Sequence, residues 1–85
     1  MIPGFITTYK DIDGYIHLYF YPGIDKNDKS IYKDIDLSSL NTEYELKKNP
    51  DNSIDCKFLQ KNIIKLHCKL LTFDNKIVYE TLNIN

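Results

Sequence analysis

Two cysteines and two histidines are the residues of this 85-residue chain whose types most readily do chemistry. Cys56 and Cys68 stand apart in the second half, with His67 beside the second of them. A structural zinc site needs a second pair of cysteines or histidines, and none stands near. A Cys68–His67 nucleophile pair fails on geometry, because adjacent residues of a strand point to opposite faces. Two readings of the cysteines remain: a disulfide, or two buried free thiols. The disulfide is the preferred one, and it would stabilise a small fold by about 3 kcal/mol in the loop-entropy account. Residues 25–34, "DKNDKSIYKD", have the acidic look of a calcium loop. They fail as one, since position five is Lys29, position six is Ser30 rather than glycine, and position twelve is Asp36 rather than Glu. Carboxylates are common, yet no pair sits in an apolar setting that would split their pKa values. No Ser–His–Asp arrangement can be defended. The reactive residues therefore point to binding without catalysis, metal or cofactor.

Composition narrows the partners. Net charge is −1 and all eleven basic residues are lysine. Without arginine there is no planar fork for bidentate phosphate or guanine contacts. Nucleic acid and anionic membranes are accordingly not expected as partners. Hydrophobic residues at 42% and charged residues at 27% suit one small globular domain spanning 1–85. No segment has the length of a membrane span. The start "MIPGFITTYK" lacks the features of a signal peptide; a secreted or extracellular location would follow if the disulfide forms.

The elements that must position these residues read as strands. Ile16, Leu18 and Phe20 alternate with Tyr15, His17 and Tyr19, and Ile64, Leu66 and Cys68 alternate with Lys65 and His67. "DGY" at 13–15, "YPGIDKNDK" at 21–29, "KNPDNS" at 48–53 and "FDNK" at 73–76 carry turn chemistry. "KFLQKNIIKLHCKLL" has helix formers, with Leu59, Ile63 and Leu66 at helical spacing. Strands are nevertheless expected there, because that segment repeats one with the Gly14 turn and an aromatic alternation.

The repeat is the main organising feature. "NDKSIYKDIDL", residues 27–37, returns as "DNKIVYETLNI", residues 74–84. Lys29 and Tyr32 recur as Lys76 and Tyr79, and Ile31, Ile35, Asp36 and Leu37 recur as Val78, Leu82, Asn83 and Ile84. Extended upstream, the alignment sets Ile16, Leu18 and Phe20 on Ile64, Leu66 and Cys68, and Tyr9 on Cys56. It predicts that Tyr9 and Phe20 face each other in the core, in the places the cysteines hold in the second copy. The copies run over about 5–47 and 52–85, joined by a hinge containing Pro50. Neither is large enough to bury a core alone, so the two should form one domain.

The order and spacing of these segments resembles the cyanovirin-N homology family. "CKFLQKNIIKLHC" is similar to that family's cysteine segment, "SIYKDIDLSSL" to its Ile-Asp-Leu strand end, and "NTEYELKKNP" to its return strand and hinge. The chain departs from the pattern in three ways. The first copy lacks both cysteines, Glu43 and Tyr44 replace the aspartate and glycine of the return, and the second copy stops after "LNI" without a return strand. The resemblance implies an all-β, pseudo-symmetric two-repeat fold of short antiparallel strands and hairpins, with a disulfide at the cysteine spacing. It implies a lectin that recognises mannose-type oligosaccharides without metal. The missing return strand leaves one expected site per chain. Carried over by position, that site comprises Asn41 and Glu43 on the return strand, Asp51 and Asn52 past the hinge, Asp55 before Cys56, and Thr72, Asp74 and Asn75 after Cys68. The chain would act as a monomer or as a dimer swapped at the hinge. The alternative is a structural or protein-interaction domain that keeps the fold and binds no sugar.

Overall fold

A computed structural model describes residues 4–23 and 32–84. Seven strands follow one another: β1 (Phe5–Lys10), β2 (Ile16–Tyr21), β3 (Tyr32–Asp36), β4 (Tyr44–Lys48), β5 (Ile54–Phe58), β6 (Lys65–Thr72) and β7 (Ile77–Asn83). The fold is all-β, with no helix among the described residues. One sheet has the order β1-β2-β5-β4 and the other β3-β6-β7, and every neighbouring pair is antiparallel. Both sheets draw strands from both halves of the sequence: β5 joins β2 and β4, and β3 joins β6. β3 and β7, the two copies of the repeated segment, flank β6 on either side.

Period two explains the packing. Ile16, Leu18 and Phe20 of β2 point inward with Cys56 and Phe58 of β5. They meet Leu66, Cys68 and Leu70 of β6 and Ile35 of β3 in a single core cluster. Fully burying a side chain such as Phe20, Phe58 or Leu18 contributes about 1.5–3 kcal/mol. The first hairpin turns where the sequence places its "DGY". Asp11 Oδ1 accepts the backbone N–H of Asp13 at 3.0 Å and of Tyr15 at 2.9 Å. Gly14 supplies the φ of +91° that closes the turn. The β6–β7 turn lies at 73–76 as expected. The segment 57–71 resolves into the end of β5, an irregular link and β6, as the strand reading required.

Three expectations are corrected. Cys56 and Cys68 are free, buried thiols and not a disulfide. They stand on β5 and β6, which belong to different sheets, so they are not the cross-strand neighbours that the repeat alignment supposed. Tyr9 and Phe20 do not face each other. Tyr9 is paired with His17 and Phe20 with Ile6, which puts the two rings on opposite faces of the sheet. Ile6 and Thr8 therefore occupy the inward places that correspond to Ile54 and Cys56, one residue out of step with the alignment. Ile64 does not join the buried alternation: it precedes β6 and is 76% exposed. Residues 25–31 of the calcium-like stretch and most of the turn at 21–29 lie outside the described residues, as do Lys29 and Ile31 of the repeat, while the end of that stretch from Tyr32 on forms strand β3 and not a turn.

Candidate functional site

The turn between β4 and β5 is built by its own polar residues. Asn49 N–H donates to the Ser53 carbonyl at 2.9 Å, and Asn52 N–H to the Asn49 carbonyl at 3.0 Å. Ser53 donates to Asp51 Oδ1 twice, from its backbone N–H at 3.0 Å and its hydroxyl at 2.5 Å. These bonds, the hydroxyl's first, hold the Asp51 carboxyl below the usual carboxylate range. Asn52 takes φ +69°, a left-handed conformation that asparagine tolerates. No protein group among the described residues engages its side-chain amide.

Two other segments close on this turn. Gly23 N–H donates to the Tyr32 carbonyl at 2.8 Å and ties residues 22–23 to β3. Lys33 Nζ reaches Asn75 Oδ1 at 2.8 Å and draws the β6–β7 turn toward β3. That turn is set by buried Thr72, whose hydroxyl donates to Asp74 and accepts Lys76 N–H. Between them lies an open cleft of about 290 Å³. Phe20, Ile54 and Phe73 give it apolar surface, and Lys33, Asp34, Lys48, Asp51 and Asn52 give it polar groups. Lys33, its ammonium held by Asn75, and Lys48 thus share the cleft with Asp34, Asp51 and an Asn52 amide that no described residue engages, beside apolar surface. Such a set can donate to and accept from the same small polyhydroxylated ligand.

The eight residues expected from the sequence separate into three places. Asp51 and Asn52 line the cleft. Asn75 reaches it through Lys33, and Thr72 and Asp74 build the turn that carries Phe73. Asn41 and Glu43 stand at the other end of the molecule, because the register Tyr44↔Phe58 to Lys48↔Ile54 sets the start of β4 a full strand away from residues 49–53. Asn41 lines a separate pocket there, and the Glu43 carbonyl accepts Leu59 N–H at 3.0 Å. Asp55 points away from the core, onto the outer face of its sheet.

On that outer face Asp55 belongs to a network the sequence reading missed. His17 Nδ1 meets Asp55 Oδ1 at 2.8 Å and His17 Nε2 meets Asp11 Oδ2 at 2.8 Å. Tyr9 donates its hydroxyl to Asp55 Oδ2 at 2.5 Å and stacks on the imidazole with ring centroids 4.6 Å apart. Burial lowers the His17 pKa, but hydrogen bonds to Asp11 and Asp55 and their charges more than offset it, so the net shift is upward. The His17 bond is the largest cause that lowers the Asp11 pKa. Burial first, then Asp55, pushes the Tyr9 hydroxyl up to about 12, which keeps it a donor. With both ring nitrogens held by carboxylates, His17 offers no free lone pair to a proton or a metal. The network is an ionic clamp joining β1, β2, β5 and the Asp11 turn. Its signal was present in the sequence: a hairpin closed by "DIDG" sets Tyr9 opposite His17. The pairing of β2 with β5 that adds Asp55 is non-local and left no local trace.

The tyrosines divide between structure and surface. Tyr21 stacks on Phe5, and Tyr44 meets the edge of Phe58, with centroids 6.4 Å apart in both pairs. Lys57 and Lys61 each place an ammonium 4.7 Å from the Tyr15 ring centroid. No group of side chains among the described residues is arranged to hold a metal ion. No protein-family model, no curated protein and no solved structure matches the chain.

Proposed function

We propose that the chain is a carbohydrate-binding domain, a lectin that takes mannose-type oligosaccharides at the cleft beside residues 49–53, without metal and without catalysis. The observation that carries this reading is the cleft itself. The Asn52 amide, which no described residue engages, the Asp51 carboxylate and the Lys33 and Lys48 side chains surround apolar surface from Phe20, Ile54 and Phe73. Sugar hydroxyls are donors and acceptors at once, and the C–H face of a pyranose packs on apolar surface. A cyanovirin-like, two-repeat origin of the fold rests on the recurrence of residues 27–37 at 74–84 and not on the pairing, since β1 pairs with β2 whereas their counterparts β5 and β6 lie in different sheets. One such cleft per chain means weak monovalent binding and no cross-linking of glycans by a monomer.

The test is an amide NMR titration with a branched mannose oligosaccharide. Shifts at Lys33, Lys48, Asn52 and Phe73, lost in Asn52→Ala, are the expected result. No shift at millimolar sugar would remove the lectin reading. The second reading, a protein-interaction domain, is favoured by one observation: β7 is an edge strand on which Ile77 is 50% and Tyr79 76% exposed.

A further inference from the structure

We propose that the outer face of the four-stranded sheet binds an extended, neutral polysaccharide, a cellulose-type glucan, whose pyranose rings lie on an aromatic band along β2. Ile16, Leu18 and Phe20 turn inward, so His17, Tyr19 and Tyr21 turn outward at every second place. The register Phe5↔Tyr21, Thr7↔Tyr19 and Tyr9↔His17 sets three residues of β1 beside them on the same face. The rings meet one another. Phe5 lies 5.7 Å from Tyr19 and 6.4 Å from Tyr21 between centroids, and Tyr9 lies 4.6 Å from His17. Tyr15 extends the row, because Lys57, which stands opposite His17, holds its ammonium 4.7 Å from the Tyr15 centroid. At about 3.3 Å per residue the row from Tyr15 to Tyr21 is roughly 20 Å long. Exposed apolar side chains standing singly are ordinary, whereas a contiguous band marks an interaction surface.

The chemistry of the face selects the occupant. Tyrosine has an apolar body and a polar tip, and exposed Thr7 adds a hydroxyl in the middle of the band. A pyranose with equatorial hydroxyls has the matching form, C–H groups on its faces and hydroxyls around its edge. An apolar peptide laid there would cover the tyrosine hydroxyls and Lys57 without partners, at a cost. Charge favours a neutral chain. Glu45 and Lys47 of β4 stand opposite Lys57 and Asp55, Lys61 shares the Tyr15 ring with Lys57, and Asp11 and Asp55 hold His17 between them. Carboxylates and ammonium groups therefore balance on this face, and it attracts neither a phosphate backbone nor a polycation. The face is open, so a single sugar ring gains little and each further ring of an extended chain adds contact. The site is independent of the mannose cleft, which none of these outward residues of β1 and β2 lines.

The test is an amide NMR titration of the full chain with cellohexaose, cellobiose and glucose, followed in parallel by tyrosine fluorescence, which no tryptophan obscures. Saturable shifts at Thr7, Tyr9, His17 and Tyr19 are expected, with cellohexaose binding at least about tenfold more tightly than cellobiose. Tyr19→Thr with Tyr21→Thr removes two rings while keeping β-branched strand residues and should weaken cellohexaose by about tenfold. Thr7→Glu, at an exposed position, sets a charge in the middle of the band and tests the same surface should the double variant fail to fold. No shift on this face with cellohexaose would overturn the proposal, as would equal affinity for glucose, which needs no chain. Undiminished affinity in both variants would place the glucan elsewhere. Tighter binding of oligothymidylate or of a proline-rich peptide to the same residues would assign the face to nucleic acid or to protein instead. Asn52→Ala should leave glucan binding unchanged, so this site and the mannose cleft can fail separately.

Discussion

At the scale of single residues, the His17 clamp makes a pH prediction whose sign follows from the direction of the shifts. His17 has a folded pKa raised above its ordinary 6.5, so its contribution is full below that value and is lost as pH rises through the folded pKa. Asp11 has a folded pKa below its ordinary 3.8, so its contribution is present above that value and is lost as pH falls through the folded pKa. Denaturation of wild type against His17→Gln should therefore show the largest difference between about pH 4 and 6.5, shrinking on the alkaline side. A difference that stays constant from pH 5 to 9 would show that the imidazole acts by shape and not by charge. The thiols give a second residue-scale prediction. Burial pushes Cys56 up to about 12 and Cys68 up to about 11, so neither is a thiolate at neutral pH. Iodoacetamide at pH 8 should leave both unmodified in native protein and alkylate both in guanidinium. Rapid modification of either thiol in the native state would contradict their burial.

At the scale of elements, β2 is the centre of the fold, paired to β1 on one side and β5 on the other. Phe20→Ala should cost about 3–5 kcal/mol in a denaturant titration, since the ring is 1% exposed and contributes to both layers of the core. Gly14→Ala should cost roughly 1–2 kcal/mol, because the added Cβ meets only the Lys61 side chain at an ordinary contact distance of 4.0 Å and it is the backbone at φ +91° that resists it. A larger loss would implicate the clamp that the same turn carries through Asp11. These elements were legible because a strand with one buried face writes its apolar residues at every second place, as Ile16, Leu18 and Phe20 do. Turns were legible through Asp, Gly and Asn. The face presented by β1 was not. Its "FITTYK" carries apolar or aromatic residues at both parities, so alternation could not tell that Ile6 faces the core and Tyr9 the outside. Sheet membership was also illegible. Nothing local states that β5 joins β2 while β6 joins β3, and that choice puts Cys56 and Cys68 on different sheets and brings Asp55 to His17. The candidate site was half legible for the same reason. Asp51 and Asn52 advertise a turn, whereas Lys33, Lys48 and Phe73 reach the cleft only through non-local pairing.

At the scale of the whole molecule, the open edges of the two sheets decide how copies of the chain meet. Strand edges present unpaired backbone groups and are guarded by charge or irregularity. β4 carries Glu45, Lys47 and Lys48 with every residue exposed, and β3 carries Lys33, Asp34 and Asp36 with a register shift between Tyr32 and Asp34. β1 has Lys10 at its end as its one charge, and β7 is guarded no better. Its one charged residue, Glu80, is drawn toward the interior, where Tyr32 donates to its carboxylate at 2.8 Å. Ile77 and Tyr79 meanwhile stay exposed on the outer face. A swap at the hinge is a different route to a dimer, and it would have to separate the β4–β5 pairing that runs from Tyr44↔Phe58 to Lys48↔Ile54 across the 49–53 turn. The freshly purified chain should therefore be a monomer by light scattering at micromolar concentration. Association on concentrating should proceed through β7, as a strand added beside a strand. Tyr79→Lys places a charge on that edge and should raise the concentration at which larger species form, whereas Leu46→Lys on the already charged β4 should change little. If the two variants shift association equally, net charge is responsible, and if neither does, the unguarded edge is not where copies of this chain meet.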